Sequence, residues 1–166
     1  MTLLDAPKYD SARARRNQIV LWVCAGLLVV LFVGFWLVAG RPVDWPWNWL
    51  THLRGRSTIN TFLKDVEKND LAGAYGIWLH DLDWQKHSRQ NGAYDFTRFQ
   101  QDWSPTSNEN EYGAVHSHEI VAARMSGNVL LVGIRINGLK SKALFLNYDP
   151  ETRQLGFSPV ELYLGP

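Results

Sequence analysis

Cysteine is nearly absent: Cys24 is the only one in 166 residues, so no intrachain disulfide forms and thiolate metal clusters are excluded. Catalytic signatures are missing as well. The sequence has no glycine-rich phosphate loop, no dinucleotide fingerprint, no nucleophile elbow around a serine and no His-Glu-x-x-His zinc pattern. Basic charge is sparse in the second part of the chain. Ser57 to Pro166 carries 10 Lys/Arg against 13 Asp/Glu, scattered without a stripe, which argues against nucleic acid as a partner.

The longest absence is of charge altogether. From Ile19 to Gly40, IVLWVCAGLLVVLFVGFWLVAG, 22 residues carry none. As a helix at about 1.5 Å per residue the run covers about 33 Å, enough for the roughly 30 Å hydrocarbon core of a bilayer. It is longer than the apolar region of a signal peptide and includes bulky Trp22, Phe32, Phe35 and Trp36, so it reads as an uncleaved signal anchor. The small residues Val38-Ala39-Gly40 keep cleavage as the alternative. There is no Gly-x-x-x-Gly and no charge inside the run, which suits an anchor better than an ion path.

Lys8, Arg13, Arg15 and Arg16 precede the run, and Arg41 follows it closely, with Arg54 and Arg56 farther on. The positive-inside rule then puts the N-terminus in the cytoplasm. The expected organisation is a cytoplasmic tail over 1–18, a single transmembrane helix over 19–40, a Trp-rich juxtamembrane linker over 41–56 and an extracytoplasmic domain over 57–166. That domain would be periplasmic or extracellular, on a chain held in the cell's inner membrane.

The linker RPVDWPWNWLTHLRGR places Trp45, Trp47 and Trp49 within five residues. Indole rings are amphipathic and settle at headgroup depth, so the lipid bilayer is the expected partner of Arg13, Arg15, Arg16, Arg41 and these three tryptophans. Two other readings stay open. The tryptophans pack on the domain itself, or they dock on another integral membrane subunit.

From Ser57 the pattern turns helical, with Ile59, Phe62, Leu63 and Val66 on one stripe and Ser57 or Thr58 as the N-cap. Asp70 caps a second helix whose stripe is Leu71, Ala74, Tyr75, Trp78, Leu79 and Leu82. A polar turn runs from Asp83 to Tyr94, and Phe96, Phe99 and Trp103 mark a third helix, opened by Asp95 and closed by Ser104-Pro105. After a loop over Thr106 to Gly113 come four β-rich runs, His118 to Met125, Val129 to Ile136, Lys140 to Tyr148 and Gln154 to Leu164. Turns such as Asn137-Gly138 between them predict an antiparallel meander. Two to three helices on a four-stranded antiparallel sheet make an α+β domain.

Helices first, with the phrase KNDLAGAYGIWL at the start of the second, then an aromatic helix and four strands, resembles the NTF2-like superfamily of cone-shaped, cystatin-like α+β domains. A cytoplasmic tail, one span and such a domain outside is similar in layout to the VirB8 scaffold proteins of type IV secretion and to small accessory subunits of membrane complexes. The resemblance carries no catalytic residues, since this superfold hosts enzymes, ligand binders and scaffolds alike; the anchor, the Trp-rich belt and the lack of a catalytic motif point to a non-catalytic scaffold or accessory role, with no cofactor. The resemblance also implies an alternative, a tethered enzyme or small-ligand binder using the cone's cavity, since NTF2-like dehydratases and isomerases use Asp/His pairs there.

For that alternative the weak catalytic candidates are His80, Asp81 and Asp83, which equally fit a solvated helix end. His116 and His118, at i and i+2 on the expected first strand, would share a face and are weak metal candidates. A third ligand would have to come from His80, Asp81, Asp83 or His87, at no recognisable spacing. The competing explanation is an exposed pair at the loop–sheet boundary. The aromatic residues Tyr75, Trp78, Trp84, Tyr94, Phe96, Phe99 and Trp103 are either plain core or the wall of an apolar pocket.

Overall fold

The computed structural model describes residues 11–87 and 94–162. The first ten residues of the expected tail, 88–93 of the polar turn and 163–166, which include the end of the last expected strand, lie outside them. The described chain forms two compact units, divided after Val38.

The first unit is one helix, α1 (Ser11–Val38), 28 residues long. Its apolar side chains cover each other little; Trp22 is 68% and Val30 70% exposed. No soluble core explains such a surface. The helix is long and apolar enough to cross a membrane.

The second unit is α+β. A 3-10 turn, Pro46–Asn48, leads directly into α2 (Trp49–Glu67), followed by α3 (Leu71–Leu79) and α4 (Phe96–Trp103). Both short helices start on an aspartate cap. Asp70 accepts from the Gly73 amide at 3.0 Å and Asp95 from the Arg98 amide at 2.8 Å, which satisfies amides that a helix start leaves without partners. Strands β1 (His118–Ser126), β2 (Val129–Ile136), β3 (Ala143–Tyr148) and β4 (Leu155–Phe157) pair antiparallel in chain order.

Alternation fixes which side of the sheet is covered. Leu130, Val132 and Ile134 on β2 stand opposite Tyr148, Leu146 and Leu144 on β3, and all six are buried. On β1 a register shift between Ile120 and Ala122 keeps His118, Ile120, Ala123 and Met125 opposite Ile136, Ile134, Val132 and Leu130. Against these residues pack Ile59, Phe62, Leu63 and Val66 of α2 and Trp78, Phe99 and Trp103 of α3 and α4. Rings fill the centre. Phe62 lies 5.0 Å from Trp103 and 5.4 Å from Trp78, and Trp78 lies 5.0 Å from Phe157 between ring centroids. Tyr75 closes the cluster against Trp84 at 4.9 Å and Phe99 at 5.1 Å.

Several boundaries differ from the sequence expectation. α2 starts at Trp49 instead of Ser57, because Trp49, His52 and Gly55 continue its buried stripe toward the N-terminus. α3 stops at Leu79, where His80 turns left-handed with φ 54°, so Leu82 leaves the stripe and is 86% exposed. β3 begins at Ala143 rather than Lys140, and β4 is Leu155–Phe157 rather than the long run from Gln154, because the chain leaves the sheet at Ser158.

Candidate functional site

The tryptophans of the expected juxtamembrane linker divide into two groups. Trp49 is 5% exposed and belongs to the domain, with its indole Nε1 donating to the Asp44 carbonyl at 3.0 Å. Trp45 and Trp47 remain outside, 68% and 72% exposed. Their rings stack on each other at 5.1 Å and 2°. Val43 beside them is fully exposed and Leu50 is 44% exposed.

This apolar patch stands on a fixed base. Asp44 Oδ2 lies 2.7 Å from His52 Nε2 and accepts from the Met125 amide at 3.0 Å. The His52 side chain is 1% exposed and that of Asp44 19%. One carboxylate thus joins the segment before the 3-10 turn to α2 and to the end of β1. Pro46 at the first position of the 3-10 turn restricts the backbone between the two exposed rings. Arg41, φ 54°, is exposed, and Gly40, φ 87°, has the Arg56 side chain against the position a Cβ would take, at 2.8 Å. Burial lowers the Arg56 pKa. Arg13, Arg15 and Arg16 are exposed on the first turns of α1.

His80, Asp81 and Asp83 come together on the turn after α3, in an open groove with Ser57, Thr58 and Thr61. No tyrosine or tryptophan lines that groove. Asp81 Oδ2 lies 2.7 Å from His87 Nδ1 and Asp83 Oδ1 2.8 Å from Lys86 Nζ. The hydrogen bond to His87, more than any other contact, holds the Asp81 carboxyl below the usual range. Each carboxylate therefore has a side-chain partner of its own, the arrangement of a polar surface turn.

His116 and His118 are not brought together. β1 starts at His118, so strand alternation does not reach back to His116, which is exposed and whose amide donates to Asn137 Oδ1 at 2.8 Å. His118 turns inward, with its side chain 8% exposed, Nδ1 2.7 Å from Glu67 Oε1 and Nε2 2.9 Å from Asn60 Oδ1. Two ring nitrogens bound to α2 leave none for a metal. Among the described residues no group of three His, Cys, Asp or Glu is placed to hold an ion.

A separate hollow of about 420 Å³ opens between α4 and the edge formed by β3 and β4, lined by Arg98, Asp102, Trp103, Tyr112 and Phe157 among others. Tyr94 donates its hydroxyl to Asp102 Oδ2 at 2.9 Å. Burial first, and then that bond, pushes the Tyr94 phenol far above its ordinary value. Trp103 Nε1 is the one buried side-chain nitrogen or oxygen among the described residues without a hydrogen-bond partner; it favours the Tyr94 phenolate without reaching hydrogen-bonding geometry.

No family model, curated protein or solved structure matches this chain. Its functional reading therefore stands on its own geometry. The feature that sequence reasoning missed is Asp44. Its signal was the histidine at position 52, three residues after Trp49 and on the apolar side of a helix.

Proposed function

We propose that this is a single-pass membrane protein, N-terminus in the cytoplasm, whose extracytoplasmic domain is a non-catalytic accessory, scaffold or assembly subunit of a larger membrane protein complex. The domain is read as an NTF2-like cone, whose interior is taken up by the aromatic cluster of Phe62, Trp78, Phe99 and Trp103. The observation that carries the contact role is the Trp45–Trp47 pair, two stacked and exposed indoles on a backbone fixed by Asp44. Rigid, exposed tryptophan loses little conformational freedom on docking, and such residues commonly contribute about 2 kcal/mol or more to an interface.

The test is a photoreactive amino acid at position 47 of the full chain in its native membrane. A discrete protein adduct of fixed mass is the expected result. Lipid adducts alone would overturn the accessory reading and leave the pair as a headgroup anchor.

The second reading, a tethered small-ligand binder, is favoured by one observation, the unpartnered Trp103 Nε1 beside the hollow at α4. It predicts a ligand that protects Trp103 fluorescence from quenching by acrylamide. Equal quenching with and without membrane extract removes it.

A further inference from the structure

The groove between the start of α2 and the β3–β4 turn has the chemistry of an anion site. It measures about 540 Å³ and is lined by Arg54, Ser57, Thr58, His80, Tyr148 and Arg153, with Leu53 as the one apolar member. All six polar side chains can donate a hydrogen bond, and no carboxylate lines it.

Among the described residues the two arginines have no counter-ion. Arg98 is tied to Asp102 and Glu109, and Arg135 to Glu119. Arg54 and Arg153, both exposed, pair with nothing among the described residues. The hydroxyls contrast in the same way. Thr61 turns its Oγ1 back to the Ser57 carbonyl at 3.0 Å, whereas Ser57 and Thr58 make no such bond among the described residues.

Arg153 is also presented rigidly. It holds φ at 60°, a conformation a non-glycine residue adopts only when its surroundings impose it. Its amide donates to the Asp149 carbonyl at 2.7 Å, and the Asp149 amide to the Gln154 carbonyl at 3.1 Å. The Asp149 carboxylate accepts from the Glu151 amide at 2.8 Å and from Thr152 Oγ1 at 2.9 Å. Opposite that turn, Arg54 stands on α2. The adjoining groove shares Ser57, Thr58 and His80 and contains Asp81 and Asp83, but those carboxylates are already paired with His87 and Lys86. The Arg54 and Arg153 guanidiniums are thus left without an ion-pair partner among the described residues.

We propose that this groove binds a phosphate group, with Arg54 and Arg153 gripping its oxygens and the Ser57 and Thr58 hydroxyls completing the contacts. Guanidinium forks match phosphate oxygens in pairs, which a scattered positive surface does not. An anionic phospholipid headgroup and a soluble phosphate ester share this chemistry. The site is independent of the contact role and persists whether or not the domain has a protein partner.

The full chain in neutral detergent is titrated calorimetrically with inorganic phosphate, with short-chain phosphatidic acid and with short-chain phosphatidylcholine. Binding of inorganic phosphate and phosphatidic acid supports the site with a soluble source included, and binding of phosphatidic acid alone supports it with a lipid source. In both cases R54Q/R153Q weakens binding by about tenfold or more, as loss of charge-assisted hydrogen bonds requires. R124Q removes an exposed arginine away from the groove and leaves binding unchanged. The single variants R54Q and R153Q are read in the same way where the double variant melts early. Absence of binding by both anions, or equal weakening by R124Q, overturns the proposal.

Discussion

Replacing Asp44 by alanine removes the joint that fixes the tryptophan segment to the domain. The change strips the partner from His52, whose side chain is 1% exposed, and from the Met125 amide. A buried donor or acceptor left unsatisfied costs about 1–3 kcal/mol. His52 takes the middle of that range and the partly buried Met125 amide the low end, so D44A costs about 3 kcal/mol. For a domain between the usual small and medium sizes, about 4 °C in Tm accompanies each kcal/mol, giving a fall of roughly 12 °C. The assay is a melt of the full chain in detergent followed by near-ultraviolet circular dichroism, which reads tryptophan packing rather than the helix of α1. D83A is the control, because the Lys86–Asp83 pair is exposed on both sides and such pairs contribute about 0–1 kcal/mol. A D44A melt within about 2 °C of wild type would refute the reasoning, since the carboxylate would then not be holding His52 and Met125.

Gly55→Ala places a Cβ 2.6 Å from Leu130 Cδ2 and 2.9 Å from Tyr148 Cδ1; overpacking of this kind costs about 1–3 kcal/mol, and an unchanged Tm would contradict the close approach of α2 to the sheet. W45A/W47A removes only exposed surface, so stability stays within about 1 kcal/mol of wild type while co-purification of the membrane partner is lost; a collapse of the fold would place these rings in the core. Tyr94 has its phenol pKa raised, chiefly by burial, so its neutral form is favoured in the folded chain. That contribution is complete below the unfolded value of about 10 and is lost as pH rises above it. Absorbance of tyrosinate up to about pH 12 is therefore the same in Y94F as in wild type, and loss of one tyrosine's amplitude near pH 10 would contradict the burial. H87A moves the Asp81 carboxyl midpoint upward in an NMR titration, because the His87 hydrogen bond is the main cause of its depression; an unmoved midpoint would show that bond to be unformed.

The long apolar helix, the aspartate caps at Asp70 and Asp95 and the order of four antiparallel strands were all legible in the sequence, because each follows from short-range spacing. Alternation is likewise short-range, and on β2 and β3 it brings Leu130, Val132 and Ile134 opposite Tyr148, Leu146 and Leu144 on the buried face. The start of α2 was not legible. A stripe of Trp49, His52, Gly55 and Ile59 keeps helical spacing, but a histidine and a glycine do not register as apolar, and both sides of that contact are long-range. His52 is buried because Asp44 neutralises its cost, and Gly55 because Tyr148 and Leu130 approach the helix there. The fate of His118 was hidden for the same reason. Its partners Asn60 and Glu67 lie 58 and 51 residues away, a separation that no local pattern reveals. Splitting of the three tryptophans into one buried and two exposed likewise depends on where the 3-10 turn sends each ring.

The central claim is that this domain works by contact within a larger membrane assembly. Gentle detergent extraction of the tagged full chain from its own membrane, followed by native sizing and identification of what accompanies it, tests that most directly. Stoichiometric co-purification of at least one integral membrane subunit, abolished in W45A/W47A, is the predicted result. A single uncomplexed species from both wild type and variant would contradict it.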